Sequence, residues 1–132
     1  MMQMDVTNLN FEKDTFDSII CYHVLDDVKD DLLVMQEMFR VLKPRGWAVI
    51  QVPIDVNRAA TLEDVSVPEH NDVRIYGLDF KNRLKNAGFE VRVEQYVNEM
   101  NSETIKKYGL KDRYYTRFYT TCEDIYFCMK KR

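Results

Sequence analysis

Apolar and polar residues follow two different periods along the chain, and these periods predict an α/β order of elements. A short apolar run at residues 16–21 indicates a buried strand. The run at 47–52 is apolar nearly throughout, as strands covered on both faces tend to be. Residues 89–97 alternate apolar with polar side chains, which is typical of a strand with one face in water. A last apolar run at 123–131 predicts a strand that could run antiparallel to the others. This alternation of strands and helices favours a mostly parallel sheet.

The segments between these strands have the periodicity of helices. Asp30 or Asp31 can cap the start of the first helix. Pro44 stops this helix, and Gly46 supplies a flexible turn after it. The apolar face of the helix is predicted to consist of Leu32, Met35, Phe39 and Leu42. Two further helices are predicted at residues 78–88 and 101–109, and Gly88 suits the left-handed position that closes the first of them.

Residues 54–76 form a long connection without a clear period. A connection of this length in a compact domain is usually functional or disordered. Because it follows the carboxyl end of a predicted strand, it is well placed to be a lid over a substrate. A loosely ordered surface loop explains the same pattern, and the sequence leaves both possibilities open.

Composition and charge exclude several classes of protein. The 132 residues are enough for one domain with a buried core. The net charge of −3 and the pI of about 5.4 argue against nucleic acid or an anionic membrane as the main partner, because both favour basic surfaces. No apolar run approaches the roughly 20 residues of a membrane-spanning helix, and the N-terminus does not resemble a signal peptide. We therefore expect a cytoplasmic protein.

The cysteines and the acidic pairs do not predict a metal site. Cys21, Cys122 and Cys128 are odd in number and lack CxxC spacing, which argues against a disulfide framework or a zinc site. Cys21 and Cys128 lie in apolar runs and are expected to be small buried hydrophobes. The acidic pairs at 26–27 and 30–31 could suggest metal binding, but a solvated helix start is the better explanation.

One later segment, residues 111–119, mixes basic with aromatic side chains. Such a mixture can stack bases and hold phosphates. Because the chain is acidic overall, we expect these aromatic residues instead to pack against a sheet edge or to form an oligomer contact.

A series of short motifs carries a family resemblance. In chain order these are Asp5, "LNF" at 9–11, "FD" at 16–17, "HVLDD" at 23–27, "EMFRVLKPRG" at 37–46 and Pro53. In this order and spacing they resemble the second half of the class I S-adenosylmethionine-dependent methyltransferases of the small-molecule "type 11" kind. Residues 74–91 also resemble a later helix and strand of that family.

The resemblance implies a fold, a cofactor and an activity. The implied fold is a partial Rossmann-like methyltransferase sheet, mostly parallel with an antiparallel last strand. The implied activity is methyl transfer from S-adenosylmethionine to an unknown small-molecule acceptor. Such enzymes open with a strand and a glycine-rich E/D-x-G-x-G loop, whereas this chain has no glycine before Gly46. Residues 1–132 are therefore expected to form a single partial domain that lacks the first strands and this loop.

The resemblance also implies five cofactor-binding residues. The family counterpart of Asp5 accepts a hydrogen bond from the adenine amino group, and Val6 can offer its backbone N–H to the ring. Cys21, Tyr22 and His23 would line the methyl-donor pocket, where a histidine could act as a base near neutral pH. No catalytic side chain is predicted, because the sulfonium already activates the methyl group and the protein mainly positions the reactants and excludes water.

Local structure offers an alternative for two of these residues. Asp5 could cap a turn with Thr7 and Asn8, as aspartate does readily. His23 could start a helix and form only local hydrogen bonds. The residues alone favour these local roles.

A second functional hypothesis is not enzymatic. Without the family's first strands, the strand at 16–21 would keep an open edge, and an unpaired edge is a template for pairing with another chain. The chain would then be a non-catalytic, truncated remnant that acts as a homodimeric binding module, with strand edges or exposed helix faces in contact.

Overall fold

The computed structural model describes residues 3–65, 73–95, 100–108, 114–115, 120–122 and 124–132. Its strands are β1 (Phe16–Tyr22), β2 (Leu42–Gln51), β3 (Ile54–Asp55), β4 (Leu62–Glu63), β5 (Arg74–Ile75), β6 (Glu90–Glu94), β7 (Tyr114–Tyr115), β8 (Thr120–Cys122) and β9 (Ile125–Met129). Its helices are α1 (Asp31–Val41), α2 (Phe80–Asn86) and α3 (Ser102–Tyr108).

A four-stranded sheet of order β1-β2-β9-β6 is the centre of the fold. β1 and β2 are parallel, whereas β9 is antiparallel to both β2 and β6. β6 therefore runs in the direction of β1 and β2. The predicted α/β class, with a mostly parallel sheet and an antiparallel last strand, is confirmed. The last strand lies between β2 and β6, and within the described residues β1 lies at an edge of the sheet.

α1 and α2 pack on one face of this sheet and form the core with it. The two helices contribute Val34, Met35, Met38, Phe80 and Leu84 to this core, and the sheet contributes Ala48, Ile50, Tyr126 and Cys128. The predicted apolar face of α1 was wrong at Leu32, which is 43% exposed. At 3.6 residues per turn, Leu32 lies on the opposite side of the helix from the buried Val41.

The opposite face of the sheet is the open face, which we define by the outward side chains of Ile20, Tyr22, Trp47, Phe127 and Met129. Their strand partners place them on one side: Trp47 is opposite Met129, and Ile20 is opposite Val49, which pairs with Phe127. Ile20 is 66% exposed and Tyr22 is 48% exposed. The prediction that β1 is a buried strand was therefore wrong for this face, because the described helices cover only the face that carries Cys21.

Two helix ends agree with the sequence prediction. The Asp30 side chain caps α1 by accepting a hydrogen bond of 3.1 Å from the Leu33 N–H. Gly88 has a φ of 111° after α2, and a Cβ there would lie 3.0 Å from the Phe39 ring. Glycine is therefore required for its conformation and for the close contact.

The turn predicted at Pro44–Gly46 was wrong in its details. These residues belong to β2, and the left-handed backbone lies at Arg45, with a φ of 67°. Gly46 is required by close packing instead, because a Cβ there would lie 2.8 Å from the Lys43 carbonyl oxygen and 3.0 Å from that of Asp17.

Lys130 connects the end of β9 to the end of α1. It is 7% exposed, and its Nζ donates hydrogen bonds to the carbonyl oxygens of Leu42 (2.7 Å) and Phe39 (3.0 Å). The same Nζ donates to Asp14 Oδ1 at 2.7 Å. This bond is the main cause that lowers the pKa of the Asp14 carboxyl below its ordinary value.

Candidate functional site

An apolar groove of about 320 Å³ lies beside the edge strand β1. The N-terminal segment contributes Val6, Leu9 and Phe11, and α1 contributes Val34, Met38 and Val41. The rest of the lining comes from β1 and the residues after it: Phe16, Ser18, Ile19, Ile20, Cys21 and Val24. Ser18 is the only residue with a polar side chain that contributes to the lining. The volume is at the lower end of the range of about 300–1,000 Å³ that is usual for ligand pockets. The groove can therefore hold a flat apolar group of modest size.

Two of the five predicted cofactor residues, Val6 and Cys21, contribute to this groove. Val6 is half-buried, and Cys21 is 8% exposed. Burial raises the pKa of the Cys21 thiol to about 11, and the Asp26 carboxylate raises it further. Because only a thiolate is a good nucleophile, Cys21 is suited to be a wall of the groove rather than a reactive group.

Asp5 precedes Val6 and forms the turn that local structure favoured. Its Oδ1 accepts hydrogen bonds from the Thr7 N–H (2.9 Å) and the Thr7 hydroxyl (2.7 Å), and its carbonyl accepts one from Asn8 (3.2 Å). The bonds from Thr7 lower the pKa of the Asp5 carboxyl. Both side-chain bonds use Oδ1, and a carboxylate can accept through its other oxygen as well. The turn and an adenine contact are therefore compatible.

Tyr22 and His23 lie outside the groove lining. Successive side chains of a strand point to opposite faces, so Tyr22 belongs to the open face while Cys21 faces the groove. His23 is exposed, has a φ of 50°, and its N–H donates to the Gln51 carbonyl at 2.9 Å. The alternative that His23 starts a helix was wrong, because α1 begins only at Asp31.

The groove fits one part of S-adenosylmethionine better than the others. Its apolar lining suits the adenine ring, and Asp5 beside it offers an acceptor for the ring's amino group. Ribose hydroxyls and a charged amino acid need polar partners, because an unpaired buried polar group is costly. The groove lining carries no charged side chain to meet that need.

A partly buried polar network that the sequence did not predict lies beside the start of α1. It consists of Asp31, Glu63, Arg74, Tyr76 and Arg83. Asp31 Oδ2 accepts hydrogen bonds from the Tyr76 hydroxyl (2.7 Å) and Arg83 Nη1 (2.8 Å). Glu63 accepts from Arg74 Nε at 3.0 Å and also from Arg83 Nη2. Burial is the main cause that raises the pKa of the Tyr76 phenol well above its usual range, so Tyr76 stays protonated.

This network changes the interpretation of the connection at 54–76. Its described ends are not loosely ordered surface, since Ile54, Asp55, Arg74 and Tyr76 are all buried. Residues 66–72, where a lid would have its tip, lie outside the described residues. The basic and aromatic segment at 111–119 is described only at 114–115, as strand β7.

The described ranges contain neither a metal-binding cluster nor a membrane-spanning helix. There, no group of three or more His, Cys, Asp or Glu side chains is arranged to hold a metal ion. Nor does any helix in those ranges have the length and apolar character needed to span a bilayer.

The sequence of residues 1–50 matches the model of a methyltransferase domain family. None of the curated proteins matches the chain. The match covers the N-terminal turn, β1, α1 and most of β2, and of these the N-terminal turn, β1 and α1 line the groove.

Three solved structures have a similar fold at low sequence identity. The cyclase SpnF is 16% identical with a TM-score of 0.70, and the similarity covers 96% of this chain and 55% of SpnF. A methyltransferase from Mesorhizobium loti, described as S-adenosylmethionine dependent, is 14% identical with a TM-score of 0.67, covering 97% and 68%. A phosphoethanolamine N-methyltransferase from Haemonchus contortus, solved with S-adenosylmethionine, is 14% identical with a TM-score of 0.61, covering 97% and 36%.

These similarities establish the fold, and they also show how much of each relative the chain represents. The chain spans about half the length of SpnF and about a third of the Haemonchus enzyme. Because SpnF is a cyclase, the shared fold alone does not determine the reaction.

Proposed function

We propose that this chain is part of a class I S-adenosylmethionine-dependent methyltransferase and forms the adenine-binding side of its methyl-transfer site, which the family match over residues 1–50 and the shared fold support. In the complete domain, first strands and a glycine-rich loop would supply the ribose and amino-acid contacts. The complete site transfers a methyl group from S-adenosylmethionine to a small-molecule acceptor. The chain is then a single partial domain over residues 1–132.

One observation carries this proposal: the Asp5 turn stands next to a groove that Val6 and Cys21 line together. The second carboxylate oxygen of Asp5 accepts a hydrogen bond from the adenine amino group, and the Val6 N–H donates to the ring. The side chains of Val6, Leu9 and Cys21 exclude water from the faces of the ring. We assign Tyr22 and His23 to the rest of the cofactor because they follow the carboxyl end of β1, and ligands of open α/β sheets bind outside such strand ends.

The proposed chemistry explains why no catalytic side chain is assigned. S-adenosylmethionine brings its own activated methyl group on a sulfonium. The protein therefore contributes alignment of the acceptor and exclusion of water, which do not need a dedicated acid or base.

A titration followed by NMR tests the adenine site. We expect S-adenosylmethionine to bind the isolated chain only weakly, with a Kd of about 1 mM, because the missing charged hydrogen bonds are worth about 1.5–3 kcal/mol each. The amide shifts should be confined to Asp5, residues 21–23 and the residues that line the groove, such as Val6 and Leu9. The Asp5→Asn variant should reduce affinity about tenfold, because it can keep the Thr7 turn through Oδ1 while replacing the other oxygen with a donor.

The matched control is Asp17→Asn, since the Asp17 side chain is 84% exposed and forms an ion pair with Lys43. This variant should leave the titration unchanged. Amide shifts that avoid the groove, or equal effects of the two variants, would contradict the adenine assignment. Micromolar binding measured by calorimetry would contradict the statement that the site is partial.

A homodimeric binding module is the second candidate, and the exposure of β1 favours it. β1 lies at the sheet edge in the described structure, and the open face beside it carries Ile20 at 66% exposure and Trp47 at 37%. An exposed strand edge with apolar neighbours is a typical pairing surface. Two copies that join here would extend the sheet or cover the open face.

Light scattering after gel filtration tests the dimer. We expect a species of twice the 15.8 kDa chain mass, which Ile20→Lys converts to the monomer because a charge would be placed at the pairing surface. Leu78→Lys is the control, since Leu78 is 57% exposed, lies two residues before α2 and belongs neither to β1 nor to the open face. A wild-type monomer at every concentration, or dissociation by both variants, counts against the dimer.

A further inference from the structure

The side chain of Arg74 donates hydrogen bonds to three carbonyl groups of the loop between β1 and α1. Arg74 Nη1 donates to the carbonyl oxygens of Leu25 (2.6 Å) and Val28, and Nη2 donates to that of Lys29 (2.6 Å). Arg74 is 3% exposed. Three main-chain acceptors of one loop thus converge on one guanidinium that lies more than forty residues later in the chain.

This arrangement is unusual for a connection between a strand and a helix. The carbonyl groups of such segments normally accept hydrogen bonds from water at the surface. The segments are also more mobile than the elements that they join. A guanidinium offers its N–H donors in a planar fork of fixed geometry, so it holds several acceptors at fixed relative positions. A second main-chain contact adds to this, because the Val73 N–H donates to the Asp26 carbonyl at 3.0 Å.

Two carboxylates fix the Arg74 guanidinium in place. Glu63 accepts from its Nε at 3.0 Å, and Asp31 Oδ2 lies 3.9 Å from the same atom. Arg83 donates to both of these carboxylates, so two cations and two anions neutralise one another. Breaking a buried ion pair by removing one partner is costly, whereas the intact group holds its members in place. Arg74 is therefore a rigid support for the loop.

The loop that Arg74 holds begins where the proposed cofactor contacts end. Cys21 lines the groove, His23 closes β1 with its hydrogen bond to Gln51, and Leu25 follows two residues later. We propose that Arg74 is a positioning residue, which fixes the loop at residues 24–30 and through it the Cys21–His23 end of β1. The inferred effect of Arg74 on ligand binding rests on the proposed function, whereas its inferred effect on the loop does not.

Arg74→Lys tests the loop part by amide hydrogen exchange followed by NMR. Lysine keeps the positive charge but presents its donors from one nitrogen, so it cannot reach all three carbonyls and Glu63 together. We expect exchange at Asp27 and Val73, whose N–H groups bond within this region, to accelerate about tenfold or more. The amides of Val49 and Phe127, in the paired strands, should be unaffected.

Two further variants keep the test decisive. Arg92→Lys is the matched control, since the Arg92 side chain is 70% exposed, and it should leave loop exchange unchanged. Tyr76→Phe removes only the hydroxyl that lies 3.1 Å from the Leu25 carbonyl, and it should accelerate loop exchange less than Arg74→Lys. Unchanged exchange in the loop, or a uniform acceleration that includes Val49 and Phe127, would show that Arg74 has no specific positioning role.

A titration with S-adenosylmethionine separates this inference from the proposed function. If the wild-type chain shows amide shifts in the groove, Arg74→Lys should weaken the interaction about tenfold although Arg74 does not line the groove. If the wild-type chain shows no such shifts, the proposed function fails, and local loop exchange alone then decides the role of Arg74.

Discussion

Replacing Phe80 with alanine is expected to lower the free energy of unfolding by about 3–5 kcal/mol, the usual cost of truncating a buried aromatic side chain. Phe80 is fully buried at the start of α2, and its ring centre lies 4.5 Å from that of Tyr76 and 4.8 Å from that of Tyr126. The Phe80 side chain therefore packs α2 against Tyr76 of the polar network and against Tyr126 of the antiparallel strand β9. Small domains have only about 5–15 kcal/mol of stability in total, so the loss is a large fraction.

Urea unfolding followed by circular dichroism measures this change. Leu78→Ala is the control, because Leu78 lies two positions earlier and is 57% exposed. Its stability should stay within about 0.5 kcal/mol of the wild type. A similar small change in Phe80→Ala would mean that α2 is not packed on the sheet as described.

Replacing Lys130 with methionine is expected to cost about 3 kcal/mol. The buried ammonium group satisfies the carbonyl oxygens of Phe39 and Leu42, and a buried acceptor left without a donor costs about 1–3 kcal/mol. The loss should appear as a lower urea midpoint with an unchanged slope. Lys131→Met is the matched control: Lys131 is 77% exposed and pairs only with Glu90 at the surface, so its effect should be below about 1 kcal/mol.

The pH dependence of stability gives a second readout for Lys130. Its hydrogen bond lowers the pKa of Asp14 in the folded chain, so the unfolded chain binds that proton more strongly. The stabilisation is therefore complete above the unfolded pKa of about 3.9 and is lost as the pH falls through the lower, folded pKa. Between about pH 6 and about pH 3, the Tm of Lys130→Met should fall less than that of the wild type. Equal decreases would mean that the Lys130–Asp14 contact is absent in solution.

Local signals in the sequence predicted the order of the elements well. The Asp30 cap and the left-handed Gly88 each depend on a few neighbouring residues, so short patterns are sufficient to find them. The antiparallel direction of β9 also agrees with the prediction. The exposure of Leu32 and Ile20 could not be predicted, because it depends on which faces the other elements cover.

In the candidate site, too, local features could be predicted from the sequence and contacts between distant residues could not. Asp5 and its turn could be predicted, since Thr7 and Asn8 are its neighbours in sequence. The contacts of Arg74 could not be predicted from the sequence. Its partners Leu25 and Val28 are distant in the sequence, and they bind it through main-chain carbonyl groups, which every residue has. Nor could the sequence show that Gly46 is required by packing against Asp17 rather than by its own backbone conformation.

The open face has a practical consequence for spectroscopy. Trp47 is the chain's single tryptophan, and its ring is stacked at 5.7 Å on Phe127, on the side of the sheet away from the groove. Indole emission moves to shorter wavelengths when water leaves its surroundings. A polypeptide that covers this side would therefore change the colour of the fluorescence, whereas a small molecule seated among Val6 and Cys21 would not. One optical signal can thus report which side of the sheet a binding partner occupies.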